Sequence, residues 1–246
     1  MTEELAEKLK YLRLGGLLAH WDDYLKVGAE KRLSHGSLLT HIVEEEYRIK
    51  KENARRQILR CARIEEMRVM ETFPFEKQPK LNKKRVMALY DSLSFLQKAE
   101  NILWLGGTGV GKSGLATSFL VHAINHGYSG RFVRFPVLVE ELYRSIADHT
   151  QARVFKGYAN VGVLLIDELG LCEVEPVQAG QFFTLMQQRH KRRPTLITSN
   201  LGFQDWKGFL KNEHLTAALI DRLTETSHVF NMRECKTIRE KLKQEE

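Results

Sequence analysis

The sequence predicts an α/β fold: a five-stranded parallel sheet flanked by helices, preceded by a small all-helical domain. Three observations carry that prediction. From residue 101 onward, short apolar runs alternate with stretches of helical periodicity, the pattern of a doubly wound sheet. No proline occurs before Pro74, and that first part is rich in Leu, Glu, Lys and Arg, the composition of helices. Two of the apolar runs end on polar tips, as strands of open α/β sheets do on the side where ligands bind.

Taken in order, Leu5, Leu9 and Leu12 recur at helical spacing, Gly15-Gly16 interrupts, and Leu17, Leu18, Trp21, Tyr24 and Leu25 resume. A second helical pattern starts near Ser37 and continues to about Met70. Within it Arg56, Arg60 and Arg63 share one helical face, which can either sit on phosphates or stay solvated and paired with Glu52, Glu65 and Glu66. Residues 1–72 form the expected helical domain. Pro74 and Pro79 then break the helix, and Lys77, Lys80, Lys83, Lys84 and Arg85 make a basic linker, with one helix from Val86 to Lys98 closing the segment 73–100. Residues 101–246 carry the sheet, with strands at Asn101–Leu105, Gly130–Phe135, Val161–Glu168, Pro194–Asn200 and His228–Met232. Helices at Ser113–His126, Pro136–His149 and Pro176–Lys191, and others up to about Glu225, lie between them.

The 246 residues suffice for a sizeable core, and the formal net charge of +7 with a pI near 9.3 favours a polyanionic partner. Cys61, Cys172 and Cys235 are too dispersed for a disulfide framework or a zinc site. No apolar run approaches the length of a membrane span and the first residues are charged, so a cytoplasmic protein with no membrane partner is expected.

The chemistry concentrates at the first strand. Asn101–Leu105 runs into Gly106-Gly107-Thr108-Gly109-Val110-Gly111-Lys112-Ser113-Gly114, the phosphate-loop spacing between a strand and a helix. Glycines let several backbone N–H groups surround one anion, and the helix start adds partial positive charge. Lys112 is expected on the β- and γ-phosphates and Ser113 on Mg²⁺. Asp167, at the end of VGVLLIDE, suits the Mg²⁺-binding role, Glu168 the activation of an attacking water, and Asn200 the holding of that water or a γ-phosphate oxygen. Phe73 and Phe75 can pack beside a base or staple the linker to the core.

The combination GGTGVGKS, VLLIDEL, TLITSN and AALIDRL, behind LKYLRLGGLLAHWDDYL, resembles the IstB-like transposition helper ATPases of the AAA+ superfamily, in the branch with DnaC-type helicase loaders and DnaA-type initiators. The resemblance implies a Mg²⁺-dependent ATPase that forms a homo-oligomer on duplex DNA and assists the transposase of a bacterial insertion sequence. It implies an arginine finger at Arg222, a nucleotide-contacting arginine at Arg239, within a segment that departs from the usual Ser-Tyr-Arg ending, and DNA contacts at Arg144, Arg153 and Lys156. Arg56, Arg60 and Lys83 are further DNA candidates on charge alone. A DnaC-like helicase loader, distinguished by the partner of its N-terminal helices, is the nearest alternative. A P-loop small-molecule kinase and a DNA scaffold that scarcely turns over ATP remain further ones.

Overall fold

The computed structural model describes residues 1–238. By internal contacts the chain forms two compact units, Met1–Gln57 and a second beginning at Ile58. The division therefore falls earlier than residue 72. The reason is burial: Ala62, Met70 and Leu81 belong to the core of the second unit, so the segment expected to end one domain and link it to the next is packed into the body that carries the sheet.

The first unit consists of α1 (Glu3–Tyr11), α2 (Gly15–Ala19), α3 (Trp21–Glu30) and most of α4 (His35–Cys61). Gly16 does more than interrupt a helix: a Cβ there would lie 2.5 Å from Ile49 Cδ1 and 2.6 Å from Glu46 Oε2, so its bareness lets α2 lie against α4. Glu46 is buried and accepts the Leu17 N–H at 2.8 Å, supplying a cap that α2 lacks in its own sequence. Helix α4 stops at Cys61 rather than running to Met70. Arg63 follows it with φ 54° and pairs with Glu141 at 3.5 Å, so it does not extend the Arg56/Arg60 face.

In the second unit α5 (Lys83–Ser92) is capped by Asn82, and a left-handed Leu93 separates it from α6 (Ser94–Gln97), dividing the single helix expected there. Then come β1 (Asn101–Leu105), α7 (Lys112–Asn125), β2 (Gly130–Arg134), α8 (Phe135–Ala147), α9 (Gln151–Ala159) and β3 (Val163–Leu169). They are followed by α10 (Pro176–Arg189), β4 (Thr195–Ser199), α11 (Trp206–Leu210), α12 (Glu213–Thr224) and β5 (Ser227–Asn231). The strands pair in parallel in the order β2-β3-β4-β1-β5. Strand alternation divides the core. Ile102, Trp104, Val163, Leu165 and Leu196 face α7, whereas Leu103, Leu105, Leu164, Ile166 and Ile197 face the layer of α8, α10 and α12. That parity fixes the site as well, because positions 167, 198 and 200 fall on the α7 side by the same count.

Candidate functional site

The carboxyl ends of three adjacent strands, β3, β4 and β1, open onto one cavity of about 490 Å³. Its lining includes Thr108, Gly109, Gly111, Lys112, Ser113 and Gly114 from the loop and the start of α7, with Glu168 from β3 and Thr198 and Asn200 from β4 and its end.

The loop turns through two left-handed glycines, Gly109 at φ 80° and Gly111 at φ 99°. A Cβ on Gly106 would stand 2.7 Å from the backbone of Met232, so the first glycine is imposed by the chain as it leaves β5. Gly107 has open space on that side. No side chain caps the first turn of α7, whose N–H groups are thereby available to an anion.

Lys112 is buried, and its Nζ donates to Gly106 O at 2.8 Å, Gly107 O at 2.7 Å and Asn200 Oδ1 at 2.6 Å. Ser113 Oγ donates to Asp167 Oδ1 at 2.8 Å. Asp167 is itself buried, one step behind the cavity lining, and the Thr198 hydroxyl donates to the same oxygen. Glu168 departs from the simple alternation expected of a strand end. Its φ is 61°, a left-handed conformation that costs a non-glycine residue about 1–2 kcal/mol, at a break in the β3–β4 register between Ile166 and Leu169. The break lets Glu168 line the cavity while its neighbour Asp167 reaches Ser113.

The residues present fit a nucleoside triphosphate with Mg²⁺. Uncapped N–H groups, an ammonium and the backbone of Gly109, Gly111 and Gly114 face one cavity, and a serine hydroxyl beside a carboxylate is a hard oxygen pair. Among the described residues no cluster of three or more His, Cys, Asp or Glu could hold a metal by protein ligands alone, which suits Mg²⁺, an ion that keeps waters and takes phosphate oxygens. When bound, Mg²⁺ supplies charge neutralisation on the phosphates.

The two aromatics of the basic segment divide the roles open to them. Phe73 lies against Gly111 and lines the cavity with Val69, Thr72 and Pro74, while Phe75 stacks edge-on to Phe73 at 4.8 Å behind it and carries Lys83 Nζ 5.2 Å from its ring centroid. Sequence reasoning did not single out several other contributors. Gln78 is buried and donates to Val110 O at 2.9 Å and Lys236 O at 2.6 Å. The Ile238 N–H donates to Gly109 O at 2.9 Å, and Ile238 reaches the cavity. Arg239, the next residue, lies outside the described residues. Thr198 could have been found: it stands two residues before Asn200 on one strand and so shares its face.

Arg222 does not line this cavity. It is half-buried on α12, its guanidinium 4.7 Å from the Phe183 ring centroid, and it donates to Ala218 O at 3.1 Å. Arg144, Arg153 and Lys156 are exposed on α8 and α9, Arg144 paired with Glu140 at 2.9 Å; Arg144 and Arg153 edge a groove that also carries Glu141 and Asp148. Arg56 and Arg60 are exposed on α4, with Arg56 bonded to Glu52 at 2.9 Å, and Lys83 is exposed at the start of α5.

A parallel sheet in this strand order, with a phosphate loop after β1 and an Asp-Glu pair ending β3, defines the chain as an ATPase with the P-loop AAA+ fold. Solved structures share that fold: DnaI at TM-score 0.56 and 22% identity, covering 72% of this chain and 93% of that one, and the DnaC helicase loader at TM-score 0.51 and 20% identity, covering 61% and 90%. The model of the IstB-like ATP binding protein family matches residues 7–246, and the chain belongs to that family. Among its relatives, the IS5376 insertion-sequence protein of Geobacillus stearothermophilus is 30% identical over 100% of this chain and 98% of its own length. The IS21 protein of Pseudomonas aeruginosa is 29% identical over 94% and 86%. No helix among the described residues is long and apolar enough to cross a membrane.

Proposed function

We propose that this chain is a Mg²⁺-dependent ATPase that assembles through shared nucleotide sites on duplex DNA and assists the transposase of its insertion sequence. The observation that carries the reading is the convergence of Lys112, Ser113, Asp167, Glu168 and Asn200 at three adjacent strand ends, in a chain whose relatives are proteins of insertion sequences. In it, Lys112 and the loop N–H groups bind phosphates, Ser113 and Asp167 hold the ion, Glu168 takes a proton from the attacking water, and Asn200 orients that water or the terminal phosphate. Phe73 forms the wall against which the base packs.

Arg222 then serves a neighbouring subunit. What supports this is its position off the cavity of its own chain, half-buried on α12 with its guanidinium against the Phe183 ring. The basic residues Arg144, Arg153, Lys156, Arg56, Arg60 and Lys83 supply phosphate contacts on DNA, and the excess of positive charge supports a backbone-reading mode.

The test is complementation. Arg222→Ala and Lys112→Ala proteins, each nearly inactive alone, are mixed with duplex DNA and ATP. Arginine fingers contribute roughly 10³ to 10⁵ in rate, so even a minority of mixed sites that pair an intact loop with an intact finger gives measurable recovery. No recovery at any ratio would count against shared sites.

A further inference from the structure

One hydroxyl group connects both acidic residues of the site. Thr198 is buried, at 1% exposure, and stands on β4 opposite the break in the β3 register. Its Oγ1 accepts the Glu168 N–H at 3.0 Å and donates its own proton to Asp167 Oδ1. Ser113 Oγ reaches the same Asp167 oxygen, so a chain of contacts runs from α7 through Asp167 and Thr198 to the backbone of Glu168. At the break the β4 ladder gives Glu168 no backbone partner. Its N–H goes to a side chain, and its φ of 61° is held by that bond.

We propose that Thr198 is a positioning residue that sets the two carboxylates independently: it orients Asp167 toward Ser113 and keeps Glu168 in the left-handed conformation that aims its side chain into the cavity. A threonine suits the place because both jobs use a single oxygen, once as acceptor and once as donor, and because β-branching restricts its χ1. Valine has the same shape and neither function. This inference rests on the reading of Asp167 and Glu168 as the hydrolytic carboxylates.

The experiment measures steady-state ATP hydrolysis and binding of a fluorescent ATP analogue in the full-length protein with duplex DNA, for Thr198→Val, Thr198→Ser, Glu168→Gln and the Thr198→Val/Glu168→Gln double variant. Removing an outer-sphere hydrogen bond of this kind costs roughly 10- to 100-fold. Thr198→Val is expected to lose that much in kcat while nucleotide affinity stays within about 3-fold, and Thr198→Ser to recover to within about 3-fold of the parent, the hydroxyl being what matters. Because one of the two jobs of Thr198 acts through Glu168, adding Thr198→Val to Glu168→Gln is expected to remove less than Thr198→Val removes from the parent, the remainder being the part that acts through Asp167. Should Thr198→Val be unfolded at the assay temperature, Thr198→Ala carries the same expectations. A kcat unchanged in Thr198→Val, a loss that Thr198→Ser fails to restore, a loss of affinity in step with kcat, or full additivity in the double variant would each overturn the role. Near-normal turnover in Glu168→Gln instead overturns the assignment of Glu168, and the two failures are thereby told apart.

Discussion

Three glycines of the phosphate loop should respond to one added methyl group in three different ways, and the structure sets the order. In Gly106→Ala the new Cβ meets the carbonyl carbon and oxygen of Met232 at 2.7 Å, backbone atoms tied to β1 through the Met232 N–H and Leu105 O. Overpacking of this kind costs about 1–3 kcal/mol. In Gly111→Ala two penalties add: a left-handed φ of 99°, about 1–2 kcal/mol, and a contact of 2.6 Å with the Phe73 ring, which can swing only by leaving its place on Phe75. With the same overpacking cost as at Gly106, the sum is about 2–5 kcal/mol. Gly107→Ala meets nothing within 4 Å and lies outside the cavity lining, so it should be neutral, or stabilising by about 0.4–1 kcal/mol through the unfolded chain. For a chain of this size 1 kcal/mol moves the melting midpoint by about 2–4 °C. Thermal unfolding should therefore rank Gly111→Ala below Gly106→Ala and both below Gly107→Ala. A fluorescent ATP analogue should bind at least about 10-fold more weakly to the first two, a difference of about 1.4 kcal/mol, and normally to the third. Equal losses for Gly106→Ala and Gly107→Ala, or an undisturbed Gly111→Ala, would refute the geometry on which this ordering rests.

Arg189 is buried and pairs with no carboxylate among the described residues, and burial pushes its pKa down; it donates to Thr195 Oγ1 and to the carbonyls of Tyr158, Ala159, Val161 and Pro194. Ala159 O and Pro194 O keep other donors in Arg193 and Leu164, so Arg189→Met strands mainly three acceptors at about 1–3 kcal/mol each, partly offset by removing a desolvated charge. We expect a loss of about 3–5 kcal/mol by urea unfolding, and a loss below about 1 kcal/mol would show that water or rearrangement satisfies the carbonyls. Each of Arg153→Ala and Lys156→Ala should lower the slope of log affinity against log salt for duplex DNA by about one unit, without changing sequence preference. An unchanged slope removes that residue from the DNA contacts. His122 has its pKa lowered by burial and by His126, against the opposing pull of the Asp91 and Glu71 carboxylates and the Tyr90 backbone, and its ring stacks on Tyr90. The unfolded chain then takes a proton that the folded one resists: this contribution is complete above the ordinary value of 6.5 and is lost as the pH falls through it toward the lowered one. His122→Gln should flatten the acid limb of melting temperature against pH as the pH falls below about 6.5, and an unaltered limb would assign it to other groups.

The sheet and the heart of the site were legible because both rest on local patterns. Strand alternation, read through NILWL, VLLIDEL and TLITSN, already puts Asp167 and Asn200 on the side of the helix that Lys112 begins. What was illegible depends on partners far away in the chain. The helical composition of residues 62–70 gives way because Ala62 and Met70 are buried in a core built mainly by residues beyond 80. Leu93 turns left-handed to bury Phe95 and Leu96, which no propensity announces. Gln78 reads as an ordinary linker residue until the loop carbonyl of Val110 and the late carbonyl of Lys236 arrive beside it. Glu168 is recognisable as an acid beside an acid, but its backbone conformation belongs to the β3–β4 mismatch and to Thr198.

Both outer strands of the sheet are already engaged. On β2 the Phe132 N–H donates at 2.7 Å to Ala62 O, in the chain just after α4, and on β5 the Val229 carbonyl accepts from Arg85, whose guanidinium also covers the Phe230 ring. A basic side chain and a covering segment are devices that keep an edge from templating another strand. Copies of this chain that meet with those edges intact therefore meet through side chains and helix surfaces. A continuous backbone ladder between subunits would be indifferent to chemistry at the phosphate loop and slow to undo. Under the proposed function, junctions made of side chains form and dissolve one hydrolysis event at a time.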